Sequence, residues 1–167
     1  MGGETQGVAI RGETTVPRLL RLAPADLAAI RRHCRAAAPA EACGLLVGRG
    51  NGVLSVRRIV PAPNLLAATA GRFELDPAVR LAVEKACRDG PDRILGHWHS
   101  HPGGRPAPSA TDLSMAWEPT LAWLILAIAA DGQVSERAWF PDPTIPRFLP
   151  LALARRKNPC NRPPFPT

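Results

Sequence analysis

Tyrosine is absent from this 167-residue chain, lysine occurs only at Lys85 and Lys157, and aromatic residues make up 5%. The chain therefore lacks a basic stripe interleaved with stacking rings, the usual footprint of a nucleic-acid binder. Its net charge of +7 rests on arginines scattered from Arg11 to Arg162, the pattern of a solvated surface, and no nucleic-acid partner is expected. Cysteine is sparse: Cys34, Cys43, Cys87 and Cys160 form no Cys-x-x-Cys pair. That pattern argues against both a disulfide framework and a Cys-rich metal knuckle. Long apolar runs are missing too. The longest, Leu121–Ala130, has ten residues, about half of what a membrane-spanning helix needs. Met1–Gln6 has neither a basic start nor an apolar core, so no signal peptide is read there. A soluble, reduced, cytoplasmic protein without a membrane partner is the expectation.

What is present is ordinary for a globular domain, with 46% hydrophobic and 21% charged residues. A chain of this length makes one domain of normal size. The expected organisation is an arm over 1–17, a catalytic domain over 18–145 and a Pro-rich tail over 146–167. The last 27 residues hold 8 of the 19 prolines, so 141–167 reads as extended or mobile. A helix is predicted from about Pro24 to Ala38, with Leu27, Ile30 and Cys34 on its apolar face. Strands are predicted over 43–48 and 53–60 around a Gly-Asn-Gly turn, and a second helix from Pro77 towards Gly90. A strand over 94–101, a short helix from Ser109, and strands over 122–129 and 134–140 complete the reading. Mixed elements imply an α/β or α+β domain around one central sheet.

Chemistry concentrates in Gly96–Asp112. Side chains two apart on a strand point to one face, so His99 and His101 can offer two imidazoles to one ion. A proline- and glycine-rich loop then turns the chain back, and Asp112 in the first turn of a helix can add a carboxylate oxygen. Two imidazoles and a carboxylate suit Zn²⁺, and three protein ligands leave a fourth tetrahedral position for water, as catalytic sites do. A carboxylate to move protons is then needed. Glu41, just before the apolar strand Cys43–Gly48, is the candidate general base.

These residues resemble the JAMM/MPN+ metalloproteases, in which an upstream Glu is followed by His-x-His-Pro, seven residues, Ser, two residues and Asp. Here His99-Ser100-His101 is followed by Pro102–Pro108, then Ser109, then Asp112. The alternative pair His97/His99 misses both the proline and the serine. Pro39–Gly48 and Phe73–Pro77 are similar to the prokaryotic JAB branch, and the likeness covers about 20–140. It implies a curved mixed sheet flanked by helices, like that of cytidine deaminases, with one Zn²⁺ on His99, His101 and Asp112. It implies Glu41 and Ser109 as catalytic residues, the serine holding the oxyanion. The implied reaction is hydrolysis of a peptide or isopeptide bond after the tail of a ubiquitin-like or sulfur-carrier protein, with the tail lying extended along a sheet edge.

Several residues carry two readings. Ser109-x-x-Asp112 is also a helix capping box. His97 shares a face with the two ligand candidates and is either a supporting residue or an ordinary half-buried histidine. Arg105 either steers an acidic tail or is solvated. Cys43 reads as an inert core thiol, His33 as surface, the four tryptophans as core or rim, and Arg155-Arg156-Lys157 as a solvated tail. Two other functions share parts of the pattern: a metal-free MPN scaffold, which would not need the full set of five polar residues, and a DNA-repair-associated relative, which fits the basic charge. A zinc deaminase is set aside because its Pro-Cys-x-x-Cys half is missing.

Overall fold

The computed structural model describes residues 16–156. The chain runs β1 (Leu19–Leu22), α1 (Pro24–Ala37), β2 (Cys43–Arg49), β3 (Val53–Ala62), α2 (Pro77–Cys87), β4 (Arg93–Pro102), α3 (Ala110–Ser114), β5 (Ala122–Ile128), β6 (Val134–Pro141) and β7 (Phe148–Arg155). The strands form one mixed sheet in the order β1-β3-β2-β4-β5-β6-β7, closed by β7 pairing back onto β1. This is the α+β domain with a curved central sheet that the sequence implied. Closure adds a consequence, since it leaves the sheet no long unpaired edge strand.

Burial explains the two layers. Leu27, Ile30 and Cys34 of α1 join Leu20, Leu46, Leu54, Trp98, Leu124 and Phe140 in the main core. On the other face of β2 and β4, Leu45 and Val47 pack with Val83 of α2. Asp76 caps α2 by accepting a hydrogen bond from Ala78 N at 2.8 Å, and Pro77 takes the first helical position, where its missing N–H costs nothing. Trp98, fully buried, is the largest side chain of the core. It fits because Gly44 lies opposite: a Cβ there would sit 2.6 Å from the indole and 2.4 Å from Val60 O.

Register positions the site. In β4, Leu95 forms a bulge, with Gly96 facing Leu46 and Ile94 facing Val47. Beyond it, His97, His99 and His101 all fall on the α2 face, and Trp98 and Ser100 on the α1 face. Cys43 pairs with His99, and the ladder runs on through Ser100 N–Ala42 O at 3.0 Å. One more step sets Glu41 across from His101. Because directly opposed residues in an antiparallel pair share a face, Glu41 and the histidines point the same way. Parallel pairing to β5 sets Trp123 beside His97 and Ile125 beside His99.

Two strands differ from the sequence reading. Residues 146–156, expected within a Pro-rich tail, supply β7, whose Leu151 is buried and faces Ala138. Prolines at 143, 146 and 150 hide this strand, yet Pro150 is accommodated opposite Trp139. β1 lies at the boundary drawn for the arm; its four residues are too few to show a period. The remainder of the arm and tail, 1–15 and 157–167, falls outside the described residues. Among those described, no helix is long and apolar enough to cross a membrane.

Candidate metal centre

β4 ends in His99-Ser100-His101-Pro102, and Gly103, at φ 72°, turns the chain away from the sheet. The following loop is held against β6 by Trp139, whose indole N–H donates to Pro106 O at 3.0 Å. That tie returns the chain so that α3 starts over the ends of β4 and β2. Ser109 is the N-cap: its Oγ accepts from Asp112 N at 3.1 Å, while Ser109 N donates to Asp112 Oδ2 at 2.6 Å. The capping box and the convergence on the histidines are therefore the same structure. Ordering the cap aims the carboxylate.

The three donors meet. His99 Nε2 lies 2.9 Å from His101 Nε2, His99 Nε2 lies 3.3 Å from Asp112 Oδ1, and His101 Nε2 lies 3.3 Å from Asp112 Oδ2. Among the described residues, these three form the one group of ligand atoms able to hold a metal ion. A tetrahedral ion bound at about 2.0–2.1 Å would have donor–donor edges of about 3.3 Å. The two histidine–carboxylate separations match that edge, each to a different oxygen of Asp112, and the 2.9 Å between the imidazole nitrogens is shorter. The tautomer fits as well: His101 Nδ1 lies 3.0 Å from Arg105 O, and a carbonyl only accepts, so Nδ1 carries the proton and Nε2 presents its lone pair to the cluster. His99 Nδ1 is buried and has no hydrogen-bond partner among the described residues, its ring stacked on Phe73 at 4.4 Å between centroids.

Electrostatics agree with a cation site. Burial lowers the His99 pKa, so the neutral, ligating form is favoured. Burial alone would raise the Asp112 carboxyl, but hydrogen bonds to His101 and His99 and the Ser109 N–H hold it well below the usual range. Burial pulls the His101 pKa down, but Asp112, the Arg105 carbonyl and Glu41 together raise it above its ordinary value. Glu41, 7% exposed, is pushed up to about 6 by burial; His101 opposes the rise and Asp112 adds to it. A carboxyl poised near neutrality beside a cation cluster is suited to taking and returning a proton.

The structure also assigns places to the remaining residues named above. His97 lies outside the donor cluster, in edge contact with Trp123 at 4.1 Å, and burial lowers its pKa to about 3. The Ser109 hydroxyl donates its one proton to Asp112 Oδ2 at 2.8 Å, so here it supports the ligand candidate. Arg105 is exposed and touches the site through its main-chain oxygen. Cys43 is buried and its thiol is pushed up to about 12, first by burial and then by Glu41. His33 is exposed, as expected; Trp117 is 77% exposed and packs in neither core nor rim. Arg156, expected in a solvated tail, is half-buried and ties to Leu22 O through its main-chain N–H.

Residues that the sequence did not single out hold the site in shape. Asn64 donates to Glu41 O at 2.9 Å and to Arg72 O at 3.2 Å, while its Oδ1 accepts from Leu66 N and Glu74 N. It thus fixes both the main chain of Glu41 and the segment carrying Phe73. Ser100 Oγ accepts from Ala42 N at 2.9 Å, anchoring Glu41 from the other side. A cleft of about 240 Å³ opens beside the donors, bounded by Glu41, Asp112, Phe73, Met115, Glu118 and Trp123 among others.

Residues 24–141 match the family model described as prokaryotic homologs of the JAB domain. The chain is 34% identical over 116 residues to a protein of Haloferax volcanii named desampylase, covering 70% of this chain and 78% of that one. It is 32% identical over 104 residues to the CysO-cysteine peptidase of Mycobacterium tuberculosis, covering 62% and 70%. A solution structure of a protein from Desulfitobacterium hafniense superposes with a TM-score of 0.74 at 28% identity, over 84% of this chain and 94% of the other.

Proposed function

The chain belongs to the prokaryotic JAB family of JAMM-type hydrolases, and from that premise we propose that it cleaves an amide bond after the C-terminal tail of a ubiquitin-like or sulfur-carrier protein. The relatives' names, desampylase and CysO-cysteine peptidase, support this substrate class. The observation that carries the reading is the convergence of the His99 and His101 imidazole nitrogens, 2.9 Å apart, on the Asp112 carboxylate, one of its oxygens 3.3 Å from each, with Glu41 bordering the same cleft.

His99, His101 and Asp112 would hold one Zn²⁺, which when bound supplies a Lewis acid that acidifies water and polarises a carbonyl. Glu41 takes a proton from the attacking water, then returns it to the leaving nitrogen, so that an amine rather than an amide anion departs. Its raised pKa brings it nearer to neutrality and suits both transfers. Ser109 acts first through Asp112: its hydroxyl steadies the carboxylate, as its present hydrogen bond suggests. Holding an oxyanion would require that hydroxyl to turn away from Asp112.

Binding of an extended tail has a place other than the closed sheet. Glu74 O accepts from Leu65 N at 2.8 Å and Asp76 N donates to Pro63 O at 3.2 Å. By strand alternation, the N–H and C=O groups of Phe73 and Leu75 face the other way. They offer a short edge beside the cleft to which a tail can add through main-chain bonds. The test is to incubate the protein with a ubiquitin-like protein bearing a peptide extension after Gly-Gly, and with its isopeptide-linked form, with and without chelator. Intact mass should show loss of the extension at the Gly-Gly boundary, abolished by chelator. Cleavage that persists without metal contradicts the mechanism.

A further inference from the structure

Arg80 lies in α2 and Glu118 in the segment between α3 and β5, and their side chains meet at one wall of the cleft. The guanidinium donates from Nη1 to Glu118 Oε2 at 2.5 Å and from Nη2 to Glu118 Oε1 at 2.6 Å, while Nε donates to Glu84 Oε1 at 2.9 Å. This fork-on-fork pairing fixes orientation as well as distance, which a lysine could not do. Hydrogen bonds to Arg80 hold the Glu118 carboxyl below its usual range, so the pair is charged at neutral pH.

Two features separate this pair from a decorative surface ion pair. The segment it grips is otherwise tied locally: Ala116 N donates to Leu113 O, Trp117 N to Met115 O and Leu121 N to Glu118 O. Leu121 anchors its far end in the core, but Met115 is 53% exposed and Trp117 77%, so no large apolar side chain holds the stretch between α3 and Leu121. The position is the second feature. The segment begins just past Asp112, and Met115 and Glu118 bound the cleft along with Phe73. Behind the pair an apolar chamber of about 340 Å³ continues the cleft, lined by Leu45, Phe73, Leu75 and Leu121. Arg80 and Glu118 border both spaces.

We propose that the Arg80–Glu118 pair is a positioning clamp that holds residues 115–121 as a preformed wall of the substrate cleft, acting on substrate binding rather than on bond breaking. The kinetic part of this proposal rests on the hydrolase reading above. The structural part does not. A wall held before the substrate arrives spares the ordering cost on binding, so losing the clamp raises KM with little change in kcat.

The experiment compares Arg80→Gln, Glu118→Gln and the double variant with the parent protein, with Arg80→Lys as a variant that keeps the charge and loses the fork. Amide hydrogen exchange over 115–121 should rise roughly threefold to fivefold in each Gln variant, the scale of a half-exposed ion pair, with bound metal unchanged. With the Gly-Gly-extended ubiquitin-like substrate, KM should rise by a similar factor and kcat stay within about twofold. Because the two residues act as one unit, the double variant should be no worse than the poorer single one. Arg80→Lys should fall between parent and Arg80→Gln. Unchanged exchange over 115–121 overturns the proposal whether or not the substrate is cut. So does faster exchange with unaltered KM, or effects of the two single substitutions that multiply. If the parent protein cuts nothing yet the exchange responds as stated, the clamp stands as structure and the substrate reading is what fails.

Discussion

Glu41 combines burial, a raised pKa and a position facing the donor cluster. Glu41→Gln keeps the shape and removes the proton carrier, so turnover should fall by roughly 10²- to 10⁴-fold while bound metal, measured on the same sample, is unchanged. The same substitution has a signed effect on stability. A carboxyl whose folded pKa is raised to about 6 costs stability once it ionises. Thermal unfolding of Glu41→Gln should therefore occur at or above the parent's temperature at pH 8, with the difference vanishing near pH 4, where both side chains are neutral. In the parent enzyme, kcat/KM should rise with pH through about 6 as the base deprotonates. Ser109→Ala removes the hydroxyl that donates to Asp112. Metal affinity or activity should drop by about 10- to 100-fold, the usual effect of losing a ligand's supporting hydrogen bond, and a chelator competition assay reads it directly.

Among the elements, β7 tests how the sheet is held. It pairs with both β6 and β1 and so closes the sheet. A chain truncated after Arg147 should leave two unpaired edges and bare the core where Leu151 sits. Calorimetry should then show the cooperative unfolding transition lost or strongly lowered, and an unaltered transition would mean that β7 is dispensable. This strand also marks where the sequence stops being legible. His99, His101 and Asp112 can be read because strand parity and a helix cap are local patterns that survive in one dimension. Glu41 can be read because a charge before an apolar strand stands out. Asn64, and Phe73 apart from the family likeness of its segment, reach the site through packing between segments distant in sequence, which leaves no periodic mark. β1 is too short to show alternation, and β7 is masked by prolines whose tolerance depends on their register with β6. Closure of a sheet is a long-range pairing, and no window of residues contains it.

As a whole, the molecule uses its closed sheet as a rigid frame for one loaded corner. The α1 face is filled by core side chains, with Trp98 at 0% exposure beneath the histidines. The opposite face carries the donors, Glu41 and the cleft. A bound ion engages His99, His101 and Asp112 together only in the folded chain, so it stabilises the folded state by mass action. Removing metal should therefore lower the unfolding temperature, and restoring Zn²⁺ should recover it. The most direct test of the central claim is the metal content of purified protein, measured for the parent, Glu41→Gln and Asp112→Asn. The parent and Glu41→Gln should carry about one Zn²⁺ per chain, and Asp112→Asn little. Equal metal in all three, or none in the parent after exposure to Zn²⁺, would contradict that claim.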